Sequence, residues 1–139
     1  MKPMRLALLL AFLLTVGTAA ADQAAPVTVK TLITTDRTVL GQPLVLPKRD
    51  PVLIVSTYDI APGARLPRHE HPFSRYAYVL QGDLTVEFDG GLQKQYHAGD
   101  FIVEAVGSWH FGMNPGKVPV RLLVIDQVEA GQPATILAK

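Results

Sequence analysis

The chain has 139 residues, a net charge of +1 at pH 7 and no cysteine. That length allows one compact domain after removal of a leader, and the near-neutral charge lacks the basic stripe a nucleic-acid binder needs. The absence of cysteine excludes a disulfide framework, a thiolate zinc site and a lipid anchor on Cys, so stability rests on the core alone.

The chain begins with a three-part export pattern. Lys2 and Arg5 give a positive start, residues 6–16 form an apolar run, and Thr18, Ala19, Ala20 and Ala21 supply small residues before Asp22. This reads as a secretory signal peptide over residues 1–21, cut after Ala21 with Ala20 nearly as good. The apolar run is well short of the ~20 residues that span a bilayer, which sets aside a membrane anchor. The leader points to secretion, with the bacterial periplasm as the expected address and no membrane contact after cleavage. Residues 22–139 are then the mature domain.

Residues 22–26 read as a flexible start. Residues 27–33 are β-branched and predict a strand, and residues 44–46 predict a short one between Gly41-Gln42-Pro43 and Pro47-Lys48-Arg49-Asp50-Pro51. A longer strand is expected over residues 52–60, closed by Ala61-Pro62-Gly63. Further strands are expected over residues 76–80, 84–88, 92–97, 101–106, 109–113 and 118–128. Asp89-Gly90-Gly91 forms a hairpin turn, because Asp-Gly tolerates positive φ. Asn114 caps a turn with Pro115 and Gly116, and residues 131–139 stay unassigned. No segment has sustained helical periodicity, so the domain is expected to be an all-β antiparallel sandwich or barrel.

Three histidines concentrate the chemistry. His69 and His71 are two apart, so on an extended strand both imidazoles point one way and Glu70 the other. His110 lies on a separate strand-like segment. Two facing histidines plus one from a neighbouring strand form a plausible open metal site. Set against this is a surface pair at a turn. His97 reads as a surface turn residue, and Phe73, Tyr76, Tyr78, Phe88 and Trp109 read as core or interface aromatics.

The spacing of these residues resembles the cupin superfamily. Gly63, five residues, His69-x-His71 and Gly82 match its first motif, over residues 63–82. Gly99, Gly107, His110 and Asn114 match its second, over residues 99–114, with Ala105 where Pro is usual. The pattern also resembles small exported cupins of mostly unassigned function. The resemblance implies an all-β cupin jelly roll, a double-stranded β-helix, as a single domain. It further implies a divalent metal held by His69, His71 and His110, with Fe, Mn, Ni, Cu and Zn all compatible.

One position departs from the family. Its usual Glu ligand falls at Arg75, which stays protonated and has no acceptor, while a looser spacing lands on Tyr76, an uncommon ligand. Two readings stay open. In one, the three histidines bind metal with positions left for water or substrate, and Glu104 compensates as fourth ligand or acts as acid/base. In the other, Arg75 and Glu104 pair inside the pocket, and Arg75 holds an anionic ligand or repels a metal. Strand parity puts Glu104 on the face of Ile102, but a one-residue slip reverses it.

Function is expected in one of three forms. The first is an exported metal-binding cupin, an oxidoreductase or isomerase acting on a small organic molecule. The second is a non-enzymatic binding module taking a small anion at Arg75, and the third is a storage-like protein with a vestigial site. A homodimer is a plausible partner arrangement, with an exposed apolar sheet face as the feature to seek.

Overall fold

A computed structural model describes residues 26–139; the signal peptide expected over residues 1–21 lies outside the described residues. Nine strands follow in order: β1 (Pro51–Ile60), β2 (His69–Glu70), β3 (Arg75–Gln81), β4 (Asp83–Phe88), β5 (Gln93–His97), β6 (Phe101–Val103), β7 (His110–Met113), β8 (Val120–Glu129) and β9 (Ile136–Leu137). No helix forms among the described residues.

The strands make two facing sheets, one ordered β1-β8-β3-β6 and the other β5-β4-β7-β2-β9. Every strand pair is antiparallel. Apart from the β4–β5 hairpin, neighbouring strands are non-consecutive in the chain, which gives the double-wound all-β architecture expected from the many short strands and turns. β8 shows why these residues pair this way. Val120, Leu122, Val124 and Val128 alternate with less buried residues, so one face enters the core and the other faces out. Ile60, Ala77, Val79 and Ile102 join them from the same sheet, and Leu84 meets them from the opposite one.

Two local features tie neighbouring strands together. The Asn114 amide donates to the carbonyls of Ile60 (2.9 Å) and Val118 (2.8 Å), while its oxygen accepts from the Gly116 amide (2.9 Å). Asn114 therefore does more than cap a turn: it ties the end of β1 to the β7–β8 connection. Gly82 sits between β3 and β4 at φ +77°, where an added Cβ would lie 2.7 Å from the Pro119 carbonyl oxygen. Only glycine fits there.

Several local expectations are corrected. Residues 27–33 are exposed and form no strand. Residues 44–46 lie in an irregular segment anchored by the Arg37–Pro43 bridge, not in a strand. β6 stops at Val103 rather than Val106, and the Gln42 side chain bonds both backbone groups of Val106. The unassigned tail supplies β9, which pairs with β2.

Candidate metal centre

The three histidines arrive by strand register. His69 on β2 stands directly opposite His110 on β7. Cross-strand partners share a face, so both rings project inward from one sheet. His71 follows one residue after β2 and turns the same way. All three are buried, and their ring centroids lie 4.5 to 5.1 Å apart. One ligand-capable nitrogen from each lies within 4.8 Å of the others.

Backbone carbonyls set which nitrogen is free. His69 Nδ1 lies 2.7 Å from the Pro67 oxygen, His71 Nδ1 3.0 Å from the Ala134 oxygen, and His110 Nδ1 2.8 Å from the Ser108 oxygen. A carbonyl oxygen only accepts, so each Nδ1 carries a hydrogen and donates it. In the neutral ring each Nε2 is then left with a lone pair. Fixing one ring nitrogen on a carbonyl is the arrangement that orients metal-binding histidines.

Glu104 closes the cluster from the opposite sheet. Its Oε2 lies 3.0 Å from His71 Nε2 and 3.3 Å from His110 Nε2. His71 Nε2 is buried and has no hydrogen-bond partner. One carboxylate oxygen thus faces two ring nitrogens, each of which presents a lone pair. Resolving both contacts with protons would put two imidazolium charges side by side in the core. A single divalent cation satisfies all four groups at once, so the donor set fits a metal ion.

Burial and neighbouring charge shift the ionisable groups of the cluster in different directions. Burial disfavours the Glu104 carboxylate, but the His110 and His71 rings and the Arg75 charge outweigh it and hold the carboxyl well below its usual range. Burial pushes the His69 imidazole down to about 4, which keeps it neutral at physiological pH. At His110 burial opposes the charged form, yet the Glu104 carboxylate prevails and raises its pKa.

Arg75 does not pair with Glu104 as one sequence reading had it. Its guanidinium reaches Asp126 on β8, with Nε 2.6 Å from Oδ1 and a second nitrogen 3.1 Å from Oδ2. That second nitrogen also donates to the Thr135 hydroxyl at 2.9 Å. Both charged side chains are 5% exposed, so this is a buried bidentate pair. Arg75 still lines the central cavity beside His69, Glu104 and His110, but with its charge compensated. Tyr76 is corrected outright as a ligand. It alternates with the inward Arg75 and Ala77, faces the outside of the sheet, and its hydroxyl donates to Gln127 at 3.0 Å.

Of the remaining residues, His97 is exposed as expected, but it is the last residue of β5 rather than part of the turn. Phe88 packs on the His110 ring with centroids 5.4 Å apart. Trp109 is half-buried under the Arg68 guanidinium, which also pairs with Asp89. Asp126 and Thr135 were missed by sequence reasoning. The signal for Asp126 was available: it is the one charge on the inward register of β8, between Val124 and Val128. Nothing in the sequence marked Thr135 or the Ala134 carbonyl.

The cavity at the histidines is small, about 30 Å³, and its other walls are Tyr58, Leu66, Leu84, Val86, Leu122 and Val124. That is room for little more than a water-sized group.

An all-β double-stranded helix with a three-histidine cluster at its centre defines the class. A family model described as a cupin domain matches residues 56–126. The chain belongs to the cupin family. It is 35% identical over 71 residues to germin-like protein 1 of Brassica napus, covering 48% of this chain and 34% of that one. The chain therefore spans about a third of the length of that curated relative. Among solved structures it resembles an uncharacterized conserved protein with a double-stranded β-helix domain from Klebsiella pneumoniae, at 26% identity and a TM-score of 0.52. That match covers 70% of this chain and 82% of the other. An oxalate oxidase in complex with the substrate analogue glycolate is also 26% identical, with a TM-score of 0.51, covering 62% of this chain and 46% of that one.

Proposed function

We propose that this protein is an exported cupin that binds one divalent metal ion through His69, His71 and His110 and acts on a small organic molecule as an oxidoreductase or isomerase. One observation carries the reading: three buried Nε2 lone pairs converge, each fixed by a carbonyl on the ring's other nitrogen. A bound metal would supply Lewis-acid or redox chemistry to an oxygen-bearing group. The chain's own part is to orient the three rings and to line the reacting space with apolar side chains that exclude water. Glycolate on the oxalate oxidase relative supports a small oxygenated acid as the first substrate class to try.

The test is turnover of small hydroxy- and keto-acids by tag-free protein loaded with each of Fe(II), Mn(II), Ni(II), Cu(II) and Zn(II). Metal-dependent conversion that disappears in His110→Ala is expected. Metal uptake without conversion of any such acid would leave a binding module. The compensation of Arg75 by Asp126 counts against Arg75 as that module's anion clamp.

The reading includes self-association with a second copy. β1 is the outer strand of its sheet and exposes Leu53 and Val55 on one face and Val52 and Ile54 on the other. The chain also carries an unpaired strand-like segment, residues 27–33, with Val27 and Val29 almost fully exposed. Two copies that lend this segment to each other's β1 edge satisfy both elements.

A further inference from the structure

We propose that Glu104 is the fourth protein ligand of the metal centre, delivered by β6 at the position directly across the sheet from the one where the family pattern places its carboxylate. This rests on the three-histidine reading above and adds to it the origin of the fourth donor.

The register makes the argument. Tyr76 pairs with Val103 across β3 and β6, and the Glu104 amide donates to the Arg75 carbonyl at 2.9 Å. Glu104 therefore stands opposite Arg75 at the end of the ladder. On the other side of β3, Arg75 pairs with Asp126 of β8. Three charged residues thus form one inward-pointing row across the sheet: Asp126, Arg75, Glu104. Directly opposed positions have Cβ atoms about 5 Å apart. A carboxylate moved by one strand along such a row still reaches the same point in the barrel.

The side chains are arranged accordingly. The Arg75 guanidinium is satisfied by Asp126 and Thr135. Glu104 turns toward the histidine cluster, with Oε2 in contact with two imidazole nitrogens. Arg75 at the usual carboxylate position therefore does not dismantle the site. Asp126 compensates its charge, and Glu104 restores the anionic donor. The protein then offers three neutral nitrogens and one carboxylate oxygen to the ion, a set suited to borderline divalent metals.

The alternative is that Glu104 acts through the histidines without touching the ion. Removing an outer partner of that kind costs about 10–100-fold in metal affinity. A lost ligand should exceed that range and change the metal's spectrum. The experiment is a chelator-competition titration of stripped, tag-free protein with Co(II), reading affinity and the visible absorption bands together. Wild type is compared with Glu104→Gln, which keeps the side-chain shape, and Glu104→Asp, which keeps the charge on a shorter stem. Expected results are an affinity loss beyond about 100-fold with altered bands in Glu104→Gln, and a smaller loss in Glu104→Asp. If the glutamine variant does not fold, the aspartate variant alone carries the test, since a withdrawn ligand must still shift the bands. Bands that match wild type in whichever variant folds overturn the assignment but leave the three-histidine centre standing. Wild type that takes up no metal overturns both.

Discussion

His69 and His110 face each other as a register pair between β2 and β7, strands that are distant in the chain. Two of the three candidate metal ligands are thus set by the sheet's own hydrogen-bonding order. Whatever shifts that register takes the imidazoles with it.

The buried Arg75–Asp126 pair gives the first prediction. Asp126→Ala leaves a guanidinium buried without a counter-charge and should cost about 3–5 kcal/mol. The double change Arg75→Met/Asp126→Leu removes both charges and should lie within about 2 kcal/mol of wild type. Urea denaturation of the three proteins checks this. A single-variant cost below about 1 kcal/mol would show that the pair is not desolvated in solution.

The C-terminal strand gives the second. β9 pairs with β2, the Ala134 carbonyl fixes His71, and Thr135 holds Arg75. Deleting residues 131–139 removes all three contacts while leaving the core strands in place. Metal affinity should fall about 10–100-fold, as for loss of an orienting partner, with the far-ultraviolet circular dichroism of a β protein retained. Unchanged affinity would mean that the tail does not orient His71.

A third prediction concerns pH in chelator-stripped protein. The folded pKa of His69 is lowered from 6.5 to about 4, so between those values the unfolded chain binds more protons and acid destabilises the fold. The contribution is complete above about pH 6.5 and fades at up to about 1.4 kcal/mol per pH unit on the way down. His110 has the opposite sign: its raised pKa contributes stability that is full below 6.5 and is lost as pH rises through the folded value. Stability of the stripped protein should therefore peak near pH 6.5 and decline on both sides. Metal binding, which needs unprotonated imidazoles, should steepen the acid limb. Melting temperatures across pH 4 to 9, with and without metal, supply the comparison. A flat profile would contradict the buried state of His69.

The β1 edge gives a fourth. Leu53→Lys/Val55→Lys places two charges on the exposed face of an edge strand and should convert a dimer to a monomer in sedimentation equilibrium with little change in the metal site. Deletion of residues 26–33 should do the same. A wild-type protein that is monomeric at high micromolar concentration would contradict strand exchange.

Much of this architecture was legible in the sequence because both its signals are local. Alternating apolar residues and Gly-, Asn- and Pro-bearing turns marked β1, β3, β4, β5, β7 and β8 close to their observed limits. The spacing of Gly63, His69, His71, Gly82, Gly99, Gly107, His110 and Asn114 carried the cupin resemblance. What was not legible depended on partners far away in sequence. Residues 27–33 have strand composition, but a strand forms only where an edge accepts it. Residues 136–137 look unremarkable but find such an edge at β2. The orientation of Arg75 could not be read because its counter-charge, Asp126, lies 51 residues away. Parity placed Glu104 inward only if the register held beyond the end of β6, and the Arg75–Glu104 backbone bond is what extends it.

The central claim is that three carbonyl-fixed imidazoles hold a metal ion. Elemental analysis of mature, tag-free protein purified without chelator tests it most directly. Close to one divalent metal per chain, lost in the His69→Ala/His110→Ala variant, is the predicted result. Wild-type protein that stays metal-free even after incubation with Fe(II), Mn(II), Ni(II), Cu(II) and Zn(II) would contradict it.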